Sequence, residues 1–353
     1  MDFTYNFPAV KGIQAKKEYY IAMVPLGIIG HLFPDEEQYV LPEFRAQRRL
    51  NAARIPIMSR YILENRDTYV FSALAATIDG EYSFRGDNFL NGLGMLQISM
   101  DAAILINDGQ HRKAAILEAL KEDPSLKEET IPIVFFEDKG LERSQQIFTD
   151  LNKNAVKTSN SISELYDTRD EHAVLTRETI AKIDFLNTYT DKEKDNLGKF
   201  DACLFTLNMF YTSNKTILGR NVKEGDGEFL YRFWSAVTKN MGPWQELAEK
   251  ELSKRALRED YIATQSVILQ AFGRVGRYFY LIHQKEDFST ALSGLSKINW
   301  KRSAGIWDKR VLKNGRVLVN KRAIMLTGNV IKTAVGIPLD EDEAAVEQEL
   351  TND

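Results

Sequence analysis

The chain of 353 residues contains a single cysteine, Cys203, and only four histidines. One thiol cannot build a disulfide framework or a thiolate zinc site. The histidines are far apart and form no His-x-x-x-x-His or His-Asn-His cluster of the kind a metal-dependent nuclease would use. No stretch approaches the ~18 consecutive apolar residues of a membrane-crossing helix. The opening MDFTYNFPAVKGIQAKKEYY lacks the charged region, apolar block and small-residue site of a secretory signal. A cytoplasmic protein with no membrane partner is therefore the expectation. What the chain does have is ordinary: 44% hydrophobic and 27% charged residues, enough to bury a real core. At ~150 residues per domain, the length predicts two domains, or one domain with a large helical extension.

The net charge of −4 conceals an asymmetry. From Asp340 to Asp353 there are seven acidic residues and no basic one, and the segment is expected to stay disordered because it has few apolar partners. Just before it, Trp300–Leu339 carries nine basic residues (Lys301, Arg302, Lys309, Arg310, Lys313, Arg316, Lys321, Arg322 and Lys332) against Asp308 alone. Such density fits a footprint on a phosphate backbone. It equally fits a solvated surface paired with its own acidic tail, and composition does not choose between them.

Periodicity predicts an α+β domain over residues 1–165, a mainly helical domain over 166–295, a basic segment over 296–339 and the acidic tail over 340–353. Strands are predicted around Tyr19–Val24, Tyr69–Ala76, Leu96–Ile106 and Ile131–Phe136. Helices are predicted over Glu43–Asn65, kinked or split at Pro56, and over Leu141–Leu151. Asp79–Gly94 reads as a turn region, and Lys313-Asn314-Gly315-Arg316 as a hairpin turn.

The most informative stretch is Ile104-Leu105-Ile106-Asn107-Asp108-Gly109-Gln110-His111-Arg112, a buried strand running through a glycine turn into a helix. A helix N-terminus attracts anions, and glycine lets the backbone approach one. Arg112 offers a bidentate fork for phosphate, His111 a proton shuttle, and Asp108 a carboxylate to hold that imidazole. The plainer alternative makes Asp108 a helix cap and Arg112 a surface residue.

This Asp-Gly-Gln-His-Arg segment resembles the signature of a group within the ParB/sulfiredoxin superfamily, whose relatives include nucleases with a DGQQR motif. Two further segments match in order: Phe44-Arg45-Ala46-Gln47-Arg48-Arg49, and Phe148 to Asn154 followed by Thr158 to Ser163. With Tyr166-Asp167-Thr168-Arg169-Asp170 and the helical second half, the whole chain resembles the DndB family of the DNA phosphorothioate modification system. The resemblance implies a DNA-binding transcriptional regulator, a repressor of the modification genes, that binds the upstream region of its own operon. Other phosphorothioation proteins and a second copy of the chain are the further partners expected. It also implies a phosphate or nucleotide pocket, with Mg2+ as companion, where Gln47, Arg48, Asp108, Gly109, Gln110, Arg112 and Asn152 converge. DNA would be held by Arg45, Arg49 and Arg54 together with Lys301, Arg302, Lys309, Arg310, Lys313, Arg316, Lys321 and Arg322. The ParB double arginine is here His111-Arg112, so hydrolysis does not carry over from that family. Two alternatives stay open: an enzyme, a nucleotide hydrolase or DNA-cleaving protein, using Asp108, His111 and Arg112, and a non-catalytic accessory subunit. The missing histidine cluster argues against cleavage, and the positive charge against a mere adaptor.

Weaker signals read as structural. Thr168 to Glu171 forms a capping box for a helix over Ala173–Ile183, with a metal role for Asp167, Asp170 and His172 as the alternative. His31 and His283 read as structural histidines and Cys203 as a small core residue, while Phe229–Trp234 and Tyr278–Tyr280 read as core aromatics.

Overall fold

A computed structural model of the protein describes residues 3–34, 50–87, 91–137, 141–153, 158–198, 200–282 and 287–352. The chain divides into two compact units, Met1–Val156 and Lys157–Asp353.

The first unit comprises strands β1 (Thr4–Gln14), β2 (Lys17–Pro25), β3 (Leu74–Asp79), β4 (Tyr82–Gly86), β5 (Leu93–Ser99), β6 (Ala103–Asp108) and β7 (Thr130–Glu137). Its helices are α1 (Ile29–Leu32), α2 (Ile55–Glu64), α3 (Gln110–Glu122) and α4 (Leu141–Lys153). The strands make one sheet in the order β4-β5-β1-β2-β7-β3-β6. Only β3 and β7 run parallel; the other neighbours are antiparallel.

Side-chain alternation explains which face is covered. Phe7 and Ala9 on β1, Tyr20, Ala22 and Val24 on β2, and Ile131, Ile133 and Phe135 on β7 are buried at every second position. They form one core with Ile62 of α2 and with Ala115, Ile116 and Ala119 of α3. In β3 every residue from Leu74 to Ile78 is buried, as expected of a strand covered on both faces and paired in parallel.

Several expected elements shift. The strand predicted from Tyr69 begins at Leu74. Leu96–Ile106 divides into β5 and β6 around a turn at Met100–Ala102, and the turn region after Asp79 contains β4. Helix α2 begins at Ile55, so Pro56 lies in its first turn, where its missing N–H leaves no bond unmade. His31 is exposed at the end of α1 rather than enclosed, and His283 lies outside the described residues.

The second unit is helical: α5 (Asn160–Tyr166), α6 (Glu171–Ala181), α7 (Asp184–Tyr189), α8 (Leu207–Leu218), α9 (Asp226–Asn240), α10 (Gly242–Ala248), α11 (Lys254–Asp260), α12 (Ser266–Ile282), α13 (Phe288–Ala291), α14 (Lys321–Ala334) and α15 (Glu341–Asn352). Two short parallel strands, β8 (Thr190–Asp191) and β9 (Phe205–Thr206), and a hairpin of β10 (Leu312–Lys313) and β11 (Arg316–Val317) complete it. Phe229, Phe233, Trp234, Phe279 and Tyr280 are core residues, as the sequence predicts. Each buried indole finds an acceptor: Trp234 Nε1 donates to Asn214 Oδ1 (2.7 Å), Trp244 to Ala263 O (3.2 Å) and Trp307 to Asn299 O (2.8 Å). The basic segment joins this core through Trp300, Trp307, Val311, Leu312, Val330 and Ile331.

The acidic end is helical where disorder was expected, and a reciprocal cap explains why. Asp340 Oδ1 accepts from the Glu343 N–H (2.9 Å), and Glu343 Oε2 accepts from the Asp340 N–H (3.1 Å). Glu343 is fully buried, with Lys332 Nζ 2.7 Å from both its oxygens and an Arg274 guanidinium nitrogen 2.7 Å from Oε1. Burial alone would raise the pKa of this carboxyl, but the hydrogen bonds from Lys332 and Arg274 outweigh it and hold the group below the ordinary glutamate value. The like charges of the run are thus offset by cations from α12 and α14.

Removing one partner of a buried ion pair typically costs roughly 3–5 kcal/mol. Glu343→Ala should fall at the low end, about 3 kcal/mol, because α15 can detach and let water reach Lys332. Urea unfolding should show the loss, and amide exchange should show α15 losing protection. Unchanged protection would contradict the anchoring role of Glu343.

Candidate functional site

The predicted strand–glycine–helix is present: β6 ends at Asp108 and α3 begins at Gln110. Gly109 between them has φ +105°, and a Cβ there would lie 2.4 Å from Leu74 Cδ2. The left-handed backbone requires glycine, and any Cβ there would also have to displace the end of the Leu74 side chain.

Arg112 turns back onto the sheet. Its guanidinium donates to Ser72 O (2.9 Å), Ala73 O (2.7 Å) and Asp108 Oδ2 (2.6 Å), and also reaches the Ser72 hydroxyl. Ser72 and Ala73 precede the β3–β6 ladder, which starts at Ala75 opposite Asp108. The rigid fork of the guanidinium therefore ties the entry of β3 to the exit of β6. Asp108 serves as the carboxylate partner of that clamp rather than as the cap of α3, which Gly109 occupies. His111 Nε2 accepts from the backbone N–H of Asn51 (2.9 Å), so that nitrogen carries no proton.

Only some of the other residues expected at the pocket or on DNA are described. Arg45, Gln47, Arg48 and Arg49 lie outside the described residues, although Asn51, two positions beyond Arg49, lies against the motif. Arg54 is exposed in the turn before α2. Asn152 is exposed near the end of α4 and donates to Phe148 O (2.8 Å) of its own helix. Ser144, not Asn152, is the α4 residue that reaches the motif strand. Its carbonyl accepts from Asn107 Nδ2 (3.2 Å), and its hydroxyl is 3.0 Å from that of Thr77. All three are buried. The only sequence trace of this contact is the polar Asn107 at the end of an apolar run.

The cationic segment is better exposed. Lys301, Lys309, Lys313, Arg316 and Lys321 face solvent. The hairpin turns through Asn314 (φ +52°) and Gly315 (φ +73°), the two-residue left-handed turn that Asn-Gly favours. It sets Lys313 directly across from Arg316, and Lys309 also has positive φ (+60°). Arg302 is half-buried and donates to Tyr261 O (3.2 Å) and Arg258 O (3.3 Å), which makes it a structural residue. Arg310 pairs with Glu347, and Arg322 lies 3.6 Å from Glu349.

In the second unit, Asp170 rather than Thr168 caps α6, accepting from the N–H groups of His172 (2.9 Å) and Ala173 (3.2 Å). His172 Nε2 lies 2.9 Å from Gly219 O. Among the described residues, no group of three or more His, Cys, Asp or Glu side chains is placed to hold a metal ion. Glu164 on α5, which the sequence reading passed over, is buried; Asn208 Nδ2 donates to its Oε1 (2.5 Å), while Oε2 has no hydrogen-bond partner. Burial raises its pKa to about 7; the Asn208 hydrogen bond opposes the shift, and Asp195 and Asp170 add to it. Cys203 is partly buried, and desolvation raises its thiol pKa.

A unit with a mixed sheet and a strand–glycine–helix clamp, and a helical unit with a cationic hairpin, define a two-unit α+β protein. The family model for DndB, described as DNA-sulfur modification-associated, matches residues 7–338. The chain belongs to the DndB family, and so to the proteins associated with DNA sulfur modification. Neither a curated protein nor a solved structure gives a match to the chain. Among the described residues, no helix is long and apolar enough to cross a membrane.

Two measurements check this geometry. Arg112→Lys keeps the charge but cannot span Ser72 O, Ala73 O and Asp108 together, so it should cost about 1–3 kcal/mol without any ligand. Full stability in the lysine variant would show that the clamp carries nothing. Glu164, with its pKa raised on folding, supplies stability that is complete below the ordinary glutamate value and lost as pH rises through about 7. Glu164→Gln should therefore gain on the native protein across that interval, by on the order of 2 kcal/mol above it. Parallel Tm-against-pH curves for the two proteins would refute the shift.

Proposed function

We propose that this protein is a DNA-binding regulator, a repressor of a phosphorothioate modification gene cluster, and that it grips the duplex backbone through the cationic hairpin and its flanks. The observation that carries this reading is the cross-strand pair Lys313–Arg316. Like charges directly opposite one another destabilise a hairpin, and Lys309 beside them occupies a left-handed conformation that lysine, unlike glycine or asparagine, adopts at a cost. A surface that keeps such costs, with Lys301 and Lys321 also exposed, suits a ligand that repays them with phosphate charge. In a family associated with DNA sulfur modification, duplex DNA is the ligand of that chemistry.

In this reading the protein acts in the cytoplasm on the upstream region of its own operon, with other phosphorothioation proteins as further partners. The motif helps the fold rather than a reaction. Arg112 is committed to Ser72, Ala73 and Asp108, and His111 Nε2 to Asn51, so an enzymatic role for Asp108, His111 and Arg112 draws no support from their geometry. The hairpin contacts position the protein; phosphate contacts carry no sequence information of their own.

The test is salt-titrated binding to duplex DNA from the upstream region. Each lost phosphate contact removes ~0.9 from the slope of log K against log salt, so Lys309→Ala/Lys313→Ala/Arg316→Ala should flatten that slope by about two to three. Specific and unrelated duplexes should weaken alike. An unchanged slope would move the DNA away from the hairpin.

A further inference from the structure

The acidic helix α15 pairs with Arg310 and Arg322, next in sequence to Lys309 and Lys321 of the surface assigned above to DNA. Its carboxylates meet four cations from three segments of the chain: Glu343 meets Arg274 of α12 and Lys332 of α14, Glu347 meets Arg310, and Glu349 meets Arg322 of α14. These contacts form two tiers. The inner tier is closed, since Glu343 is 0% exposed and Lys332 6%. The outer tier is graded: Glu349 and Arg322 are open to water, with side chains 64% and 47% exposed, whereas Glu347 and Arg310 are half-buried at 27% and 18%, and Asn329 Nδ2 also donates to Glu347 Oε2 (3.1 Å).

The two tiers differ in how readily they exchange partners. A buried pair holds because each charge would otherwise be stranded. A solvent-exposed pair contributes only ~0–1 kcal/mol and is screened by salt. A duplex, whose phosphates present a continuous line of charge, displaces the exposed Glu349 most readily, the half-buried Glu347 less readily, and Glu343 not at all. The family match ends at residue 338, three positions before α15 begins, so the acidic helix lies beyond the matched residues.

We propose that α15 is a built-in competitor for DNA. Glu343 keeps the helix docked, while Glu347 and Glu349 occupy Arg310 and Arg322 and thereby withhold two cations from the phosphate backbone. This rests on the DNA-binding reading and adds its regulation: binding weakens by the share of the surface that α15 holds.

The experiment uses the full chain in three forms with one labelled duplex over a salt series. Glu347→Gln/Glu349→Gln releases the two arginines and leaves the Glu343 anchor intact. Glu341→Gln/Asp342→Asn removes the same charge from exposed positions that take no part in these ion pairs, so it reports the effect of net charge alone. The first variant should bind severalfold more tightly than the native chain, with a slope steeper by up to about two. The second should show a smaller gain and the native slope. Equal gains and slopes in the two variants, or no change in the first, would overturn the competitor. If none of the three binds DNA at low salt, the DNA-binding reading fails and the competitor fails with it. Binding by all three with identical slopes leaves that reading standing and removes the competitor alone.

Discussion

A charge taken out of water must meet an opposite charge or a set of hydrogen-bond partners, and each unit is organised around one such meeting. In the first unit it is the Arg112 guanidinium, which gathers two carbonyls at the entry of β3 and the carboxylate at the exit of β6. In the second it is the Glu343 carboxylate, which gathers Lys332, Arg274 and the backbone of Asp340. Arg112 sets where β3 enters the sheet beside the motif. Glu343 decides that an acidic stretch folds as a helix at all.

The same rule separates what holds the fold from what faces outward. Arg112, Arg302 and Lys332 are spent inside the protein on carbonyls or carboxylates. Lys301, Lys309, Lys313, Arg316 and Lys321 keep their charge in solvent. Nine basic residues in one segment therefore do not act as one patch. Arg310 and Arg322 stand between the two groups, the first in a half-buried pair and the second in a pair that water can reach. A polyanion meets the solvent-facing group first, and the intermediate pair only in competition with α15.

Much of this was legible in the sequence. The strand ending before Gly109 and the helix beginning at Gln110 follow from an apolar run, a glycine and a helix-forming stretch, all local properties. The turn at Asn314-Gly315 was legible for the same reason, since two residues there adopt the positive φ that Asn and Gly tolerate. The α+β and helical halves follow from hydrophobic periods of two and of three to four. The DndB family showed itself in the run Tyr166–Asp170, the helical second half and the chain length, and is borne out by the match over residues 7–338.

Other features depend on residues far apart in the chain, and no local pattern encodes them. That Arg112 would close on Ser72 and Ala73, forty and thirty-nine positions away, depends on β3 lying beside β6 in the sheet. That Ser144 rather than Asn152 would reach the motif depends on how α4 lies against β6. Seven acidic residues with few apolar partners predict disorder for the last fourteen residues. Arg274 and Lys332 reverse that outcome only once α12 and α14 have packed and brought them to one carboxylate. The sequence by itself determined the local conformations and the kind of charge each segment carries. Which charges are neutralised within the protein and which remain for a partner was decided by the tertiary structure alone, because that depends on which distant side chains share a space without water.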